Sequence, residues 1–349
     1  MSRQANVVEA VVRACPYEIY EHIGDRSGLL WDRGLEAWIA VDAATVRSVL
    51  SHPELAVRPP DAPVPPSLAG TPAGDIFAKF ARMSDGDRHR ERRESAQAML
   101  EPMTPDRTAD ATRTVLHRPG NALTLHDLQF AVPVMTVGML LGVPEETLGD
   151  LVCWTSAFVR AAAPGASRAD ADAANEAVRE LARLFGDRLA SGGSTPELSE
   201  EDRIANTIGL LFQTHDATAG LVGNALVALA RHGDGDIERA FADVLRADAP
   251  VQNTRRWAVS DITLGDQPVR TGELVIAVLG GSADDCRFGS GLHQCPGERV
   301  AMTIAHEIVR FARDTGLVPD EIGRAVRYHP SGNARIPDLR NVTTTEGMR

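Results

Sequence analysis

The segment from Ile204 to Arg231 constrains the fold more than any other. It is apolar almost throughout and reads as one long helix. A helix that is apolar on every side leaves no face for water, so it belongs at the centre of the protein. One polar island, Gln213-Thr214-His215-Asp216, lies in its middle.

The rest of the chain supplies elements to surround that helix. Arg88 to Leu100 has a charged helical pattern, and Ala171 to Leu189 is amphipathic. Leu123 to Leu141 reads as a buried helix with Pro133 at a bend or boundary. Asp236 to Ala247 and Glu298 to Thr315 complete the helices. Short β signals lie at Arg256 to Leu264 and Glu273 to Leu279. Arg58 to Pro72 is a proline-rich loop, and Gly192 to Pro196 is a connector. The tail after Pro330 is polar and weakly patterned. The expectation is a mainly α fold with a small β region, forming a single domain over residues 1–349.

Composition excludes some partners. The net charge of −12 repels phosphate backbones, so no nucleic acid is expected. A local basic patch could still dock an acidic protein. No apolar run reaches membrane-spanning length, because the nearest, Phe130 to Val143, is short and contains Pro133. The N-terminus lacks a secretory apolar core, so the expected location is cytoplasmic, with no membrane. Lys79 is the only lysine among 36 basic residues, a bias that suggests a GC-rich bacterial genome. Cys15, Cys153, Cys286 and Cys295 are too few and too scattered for a disulfide framework.

The most specific motif is Phe288-Gly289-Ser290-Gly291-Leu292-His293-Gln294-Cys295-Pro296-Gly297. Taken alone, a cysteine before a helix is a small buried residue. The spacing of the whole decapeptide argues otherwise. Zinc binding through Cys286, His293 and Cys295 is disfavoured, because no second ligand cluster completes a structural site.

This decapeptide resembles the haem-binding loop of the cytochrome P-450 superfamily. Phe288, the three glycines Gly289, Gly291 and Gly297, the basic His293 and Cys295 occupy its fixed positions. The resemblance implies a cytochrome P-450-like fold and haem b, with Cys295 as the axial thiolate on the iron. Gly289 and Gly291 would allow tight turns close to a flat macrocycle. A cysteine just before a helix gains from amide groups and the helix dipole, which favour a thiolate. Pro296 helps to start that helix.

The resemblance spreads over most of the chain. Asp85 to Arg93 looks like the helix that reaches the haem propionates. His89 and Arg93 stand four apart on one face, where two cationic donors can hold a carboxylate. Alone, this segment would be read as a solvated charged helix. Arg256 aligns as a third propionate ligand, with Arg255 the candidate if the register slips by one. His293 faces a propionate in the family pattern.

Three departures stand out. The oxygen-activation helix of the family carries Ala-Gly, a variable residue, an acid and Thr. Here those positions read Gln213-Thr214-His215-Asp216-Ala217, with Thr218 one residue late. One residue is a rotation of about 100° on a helix. Either another group replaces the threonine or the reaction has changed. Gln213 and Thr214 would fill the oxygen groove or bind a substrate. The family Glu-x-x-Arg is Asp243-Val244-Leu245-Arg246. The meander that supplies the third member of that ion-pair network is missing, so the fold is shortened before the haem-ligand loop. Asp285 stands where many members place a propionate-binding His. Cys286 is read as an inert core residue.

The resemblance implies a haem-thiolate oxidoreductase, monooxygenase-like, acting on a small organic molecule in bacterial secondary metabolism. A ferredoxin-type electron donor or peroxide would serve it. A second reading keeps the haem but makes the enzyme an isomerase, dehydratase or cyclase, with His215 and Asp216 as acid–base groups. Thr218 joins them as a catalytic candidate. A third is a non-catalytic homologue acting as partner or activator of a glycosyltransferase. The altered pair and missing meander favour that third reading, and the intact Cys295 loop opposes it.

Overall fold

The computed structural model describes residues 5–24, 28–120, 122–191, 198–280, 286–323, 326–340 and 342. The Gly192 to Pro196 connector and Asp285 lie outside the described residues. The first half contains α1 (Val7–Ala10), α2 (Tyr17–Gly24), β1 (Leu29–Asp32), β2 (Ala37–Ala40), α3 (Ala43–Ser51), β3 (Leu55–Ala56), α4 (Pro72–Ala78), α5 (Gly86–Leu100), α6 (Pro105–Leu116), α7 (Leu125–Leu140) and α8 (Leu148–Ala162). The second contains α9 (Arg168–Ser191), α10 (Glu200–His232), α11 (Ile237–Ala247), β4 (Asn253–Ala258), β5 (Ile262–Leu264), β6 (Gln267–Val269), β7 (Leu274–Val278) and α12 (Glu298–Asp314).

The expected long helix is α10, with 33 residues and a length of about 50 Å. Its ends follow from its sequence. The Ser199 hydroxyl accepts from the Asp202 amide at the N-terminus, and Gly233 adopts φ +68° at the C-terminus. Acids in the first turn and Arg231 and His232 in the last complement the helix dipole. It packs against α4, α5, α7, α8, α9, α11 and α12, which makes it the axis of the helical core.

Gly223 shows how closely the neighbours approach. A Cβ there would overlap the Gln129 side chain of α7 and stand 2.9 Å from Pro337. Next to it, Asn224 donates to the carbonyls of Asp248 (2.8 Å) and Arg335 (3.1 Å). The segment Gly223-Asn224 thus ties the central helix to the C-terminal chain. Helix α7 runs on through Pro133, which is buried and marks no boundary.

The sheet has strand order β1-β2-β7-β4-β3. Strand β2 pairs parallel with β7, Ala37 opposite Leu274, and β4 pairs antiparallel with β7, Arg256 opposite Val275. The N-terminal chain therefore adds three strands, β1, β2 and β3, to those expected after α11. The tail also contributes to the interior: Ala334, Ile336 and Leu339 are buried, and Arg335 is 1% exposed. Among the described residues, no helix is long and apolar enough to cross a membrane.

Candidate functional site

The cysteine loop is closed by its own backbone. The Cys295 amide donates to the Phe288 carbonyl at 2.8 Å, and the Gly289 amide donates to the Cys286 carbonyl at 2.9 Å. Gly289 and Gly291 have φ of +76° and +68°, a conformation costly for any residue with a Cβ. Gly297 precedes the first residue of α12 and accepts from the Ala301 amide at 2.9 Å. Cys286 is fully buried in the apolar cluster beside the sheet.

Cys295 combines two properties. It has accessible surface, yet the surrounding protein pushes its thiol up by burial. The Gly297 amide pulls it back down, Glu298 raises it, and Arg82 and Arg93 lower it. Arg82 behaves the same way, accessible but held below the usual arginine range by burial. Side chains with both properties line an internal recess rather than the outer surface.

Cations converge on this recess. Arg82 and Arg93 each feel the Cys295 sulfur, and neither has an acid partner among the described residues. Arg256 is 5% exposed, and burial with the nearby Arg82 holds it down to about 10. Asp85 opposes that shift. The Arg256 Nη1 donates to the Arg255 carbonyl at 2.9 Å. Burial lowers His293, although its Nε2 stands 3.4 Å from Asp85. The His293 Nδ1 is buried with no hydrogen-bond partner. Asp85 is thus the acid shared by Arg256 and His293. Arg255, the register alternative, points away on the alternating strand, toward Arg58 and Gly332.

His89 is placed differently from expectation. It is 4% exposed, its Nδ1 lies 2.9 Å from the Ala81 carbonyl, and its Nε2 lies 3.0 Å from the Leu292 carbonyl. Its ring is 3.9 Å from that of His293. Both ring nitrogens face carbonyl oxygens, so in this arrangement His89 staples α5 to the cysteine loop.

The turn at Ala81–Met83 is docked on α10. The Ala81 amide donates to Asn206 Oδ1 at 3.1 Å, and Asn206 donates to the Arg92 carbonyl at 3.0 Å. Arg92 pairs with the buried Asp202 at 2.7 Å. Phe80 touches the position of Gly209 on α10. Gln213 to Ala217 lie four to eight residues further along, about 6–12 Å. Within that stretch Gln213, Thr214, Asp216 and Ala217 keep accessible surface although α10 is central, and His215 is buried.

Gln213 and Thr214, the first two residues of the polar island, bond back to their own helix. Gln213 Nε2 donates to the Gly209 carbonyl at 2.9 Å, and the Thr214 hydroxyl donates to the Leu210 carbonyl at 2.8 Å. Both are satisfied by their own helix. Thr218 is 2% exposed and shares its helix face with His215 rather than with Ala217. It does not stand in for the missing hydroxyl. His215 and Asp216 are brought together, Nδ1 to Oδ1 at 2.7 Å, and the other ring nitrogen meets Ser156 Oγ at 3.0 Å.

Sequence reasoning missed Arg82 and Ser156. Arg82 sits in a turn with no periodic pattern. Ser156 lies on α8 and meets His215 only through tertiary packing. Phe288, Gly289, His293, Cys295 and Gly297 lie together in the closed loop.

The set makes chemical sense as a whole. Arg82, Arg93, Arg256 and His293 outnumber the two acids Asp85 and Glu298, and a buried cation only partly compensated, such as Arg256, is costly. A flat group carrying two carboxylates on its edge and a metal for the thiolate would satisfy the cations, the orphaned His293 nitrogen and Cys295 together.

No family model matches the chain. It is similar to vitamin D(3) 25-hydroxylase of Pseudonocardia autotrophica, 27% identical over 248 residues, covering 58% of this chain and 60% of that protein. It is also similar to the cytochrome P450 monooxygenase PikC of Streptomyces venezuelae, 24% identical over 85% of this chain and 83% of the relative. The matches thus span only 60% of the first relatives' length, and more of others. Among solved structures, P450 RauA, complexed with a biosynthetic intermediate of aurachin RE, superposes with a TM-score of 0.76 and 18% identity over 97% of each chain. P450BioI, in complex with acyl-ligated acyl carrier protein, gives 0.75 and 19% identity over 93% of this chain and 96% of that one. With its helical core built on α10 and its five-stranded sheet, the chain has the fold of these P450 structures, and its cysteine loop resembles that of the cytochrome P-450 superfamily.

Proposed function

We propose that the chain binds haem b between α10 and the cysteine loop and acts as a haem-thiolate oxidoreductase on a small organic molecule. The observation that carries this is the convergence of Arg82, Arg93, Arg256 and His293 beside Cys295, where Asp85 acts on Arg256 and His293 and Glu298 acts on the sulfur. In this reading Cys295 is the iron ligand, and Arg93, Arg256 and His293 hold the propionates. The bound group would supply redox chemistry, with the thiolate pushing electron density toward the iron.

The chain's own residues do the rest. The amide of Gly297 and the nearby guanidinium groups support negative charge on the sulfur. Hydroxylases and monooxygenases among the relatives support oxidation of a mostly apolar substrate in bacterial secondary metabolism. A ferredoxin-type donor or peroxide would provide the electrons. A groove of about 480 Å³, lined by Glu94, Glu101, Arg299 and Pro296, the residue after Cys295, is the surface proposed for the donor.

The test is an absorption spectrum of the purified protein, then of the protein reduced under carbon monoxide. A long-wavelength Soret band that is lost in Cys295→Ser and kept in Cys286→Ser is expected. Protein that takes up no added haemin would sink the reading.

A second reading is redox-neutral catalysis. It is favoured by the His215–Asp216 hydrogen bond and by Ala217, which leaves no hydroxyl at the threonine position. Product formed without dioxygen or reductant, and lost in His215→Gln, would select it.

A further inference from the structure

Arg58 and Arg255 face one another where the sheet ends. Strand β3 pairs antiparallel with β4, Leu55 opposite Ala258 and Ala56 opposite Trp257. That register, carried two residues further, sets Arg58 against Arg255. Opposite residues of an antiparallel pair share a face, and like charges there repel. The pairing stops at Ala56, and the Val57 amide donates to Asp85 Oδ2 at 3.1 Å.

Each cation is held in place without an acid. Arg58 donates from Nε to the Pro63 carbonyl and from Nη2 to the Ala62 carbonyl, both at 3.2 Å. Its guanidinium carbon lies 5.9 Å from the centres of both the Phe77 and the Trp257 rings. Carbonyls and rings fix this side chain and leave its Nη1 over. The Arg255 Nη2 lies beside Gly332, where a Cβ would stand 3.3 Å away. Among the described residues, no acid acts on either guanidinium, and the Arg255 side chain has no hydrogen-bond partner. Burial lowers both groups, and Arg255 lowers Arg58 further.

A fully solvated arginine needs no partner, but these two are half-buried and adjacent. A shared counter-charge would offset both their desolvation and their repulsion. A carboxylate has the right shape, since its two oxygens can accept the Arg255 fork and the free Arg58 Nη1 together. Trp257 lies on the same face of β4, two residues from Arg255, and is half-buried. It puts an apolar wall beside the charges, which an inorganic anion would not use.

We propose that Arg58 and Arg255 bind the carboxylate of an organic acid whose apolar body lies along Trp257. The site is on the face of β4 opposite Arg256, apart from the residues assigned to haem, and it stands whether or not haem binds.

Calorimetric titration of the purified protein with 2-naphthoate tests it. The neutral isostere 2-naphthamide and inorganic phosphate are the comparisons. Naphthoate should bind about tenfold tighter than either, or more. Arg58→Gln and Arg255→Gln should each weaken naphthoate about tenfold or more and leave naphthamide within about twofold. Naphthoate should also raise the urea midpoint of the wild type and of neither variant, whatever their midpoints without ligand. Equal binding of acid and amide, or unchanged naphthoate affinity in both variants, would overturn the site. A parallel loss of acid and amide in the variants would also overturn it, by showing a structural role alone. Phosphate binding as tightly as naphthoate would overturn the assignment to an organic acid.

Discussion

His232, the last residue of α10, holds the Asp243 carboxylate at 2.9 Å, while Arg246 holds its other oxygen at 2.8 Å. The pair that resembles the family's Glu-x-x-Arg network is thus completed by a histidine from the central helix. In the family, a meander arginine fills that role. The side chains of Asp243 and Arg246 are 35% and 71% exposed, so the pair lies at the surface. Exposed pairs contribute little, typically below about 1 kcal/mol.

Asp243→Asn should therefore cost under about 1 kcal/mol in urea unfolding and leave haemin uptake unchanged. Arg246 first, and then His232, hold the Asp243 carboxyl below its ordinary value against a small burial effect. A carboxyl depressed in the folded state stabilises above its unfolded pKa and loses that contribution as pH falls through the folded value. The difference between wild type and variant should accordingly vanish in strong acid. A loss of several kcal/mol at neutral pH would show that the pair still carries the fold.

Arg335 carries more. Its side chain is 2% exposed and pairs with Asp248. It donates to the carbonyls of Val11 (2.7 Å), Arg13 (2.6 Å) and Ala14 (3.0 Å) and lies 3.7 Å from the centre of the Tyr328 ring. One guanidinium thereby joins the N-terminal chain, the segment after α11 and the C-terminal tail. Arg335→Ala would leave Asp248 and three carbonyls without their partner and should cost about 3–5 kcal/mol. Urea unfolding followed by circular dichroism measures this. A change under about 1 kcal/mol would show that water replaces the guanidinium.

The contrast between these two arginines shows what a sequence displays. The Cys295 decapeptide was legible because its glycines, histidine and cysteine act at fixed local spacing, and backbone geometry demands that spacing. Helices α5, α9, α10, α11 and α12 were legible because burial imposes a 3.6-residue period. Arg335, Arg82 and Ser156 have no such signature. Their roles come from partners distant in the chain, as with Ser156 and His215 or Arg335 and Val11. The strands β1, β2 and β3 were missed because strands of four residues or fewer are too short to show alternation. His89 shows the converse. Its spacing to Arg93 suggested a carboxylate site, whereas in this arrangement both ring nitrogens face the carbonyls of Ala81 and Leu292.

Arg82 gives the next prediction. It stands near both Cys295 and Arg256 with no acid partner among the described residues. If carboxylates of a bound group fill that role, Arg82→Gln removes a charge-assisted contact worth about 1.5–3 kcal/mol. Haemin affinity should fall roughly tenfold or more, read by fluorescence quenching of the apoprotein. Arg255→Gln, on the opposite face of β4, is the matched control and should change affinity less than about threefold. Equal losses in both variants would mean that general charge, not position, sets the affinity.

Acid should destabilise the protein well before its carboxylates titrate. Burial is the leading cause that holds His126, His293, His306 and His329 below the ordinary histidine value of 6.5, although Asp127, Asp85, Glu238 and Asp338 oppose it. The unfolded chain then binds more protons than the folded one as pH falls below 6.5, so stability falls with it. The loss continues until each histidine is protonated in the folded state as well. Each such group contributes at most about 1.4 kcal/mol per pH unit within its window. Urea midpoints at constant ionic strength, from about pH 8 to about pH 5, should be flat at first and then decline. His306 stacks on Phe241 at 3.9 Å between α11 and α12, so it tests the source of the slope. His306→Gln removes one titrating ring and should flatten the decline, whatever it does to stability at pH 8. A decline of undiminished slope would assign the effect to the other three.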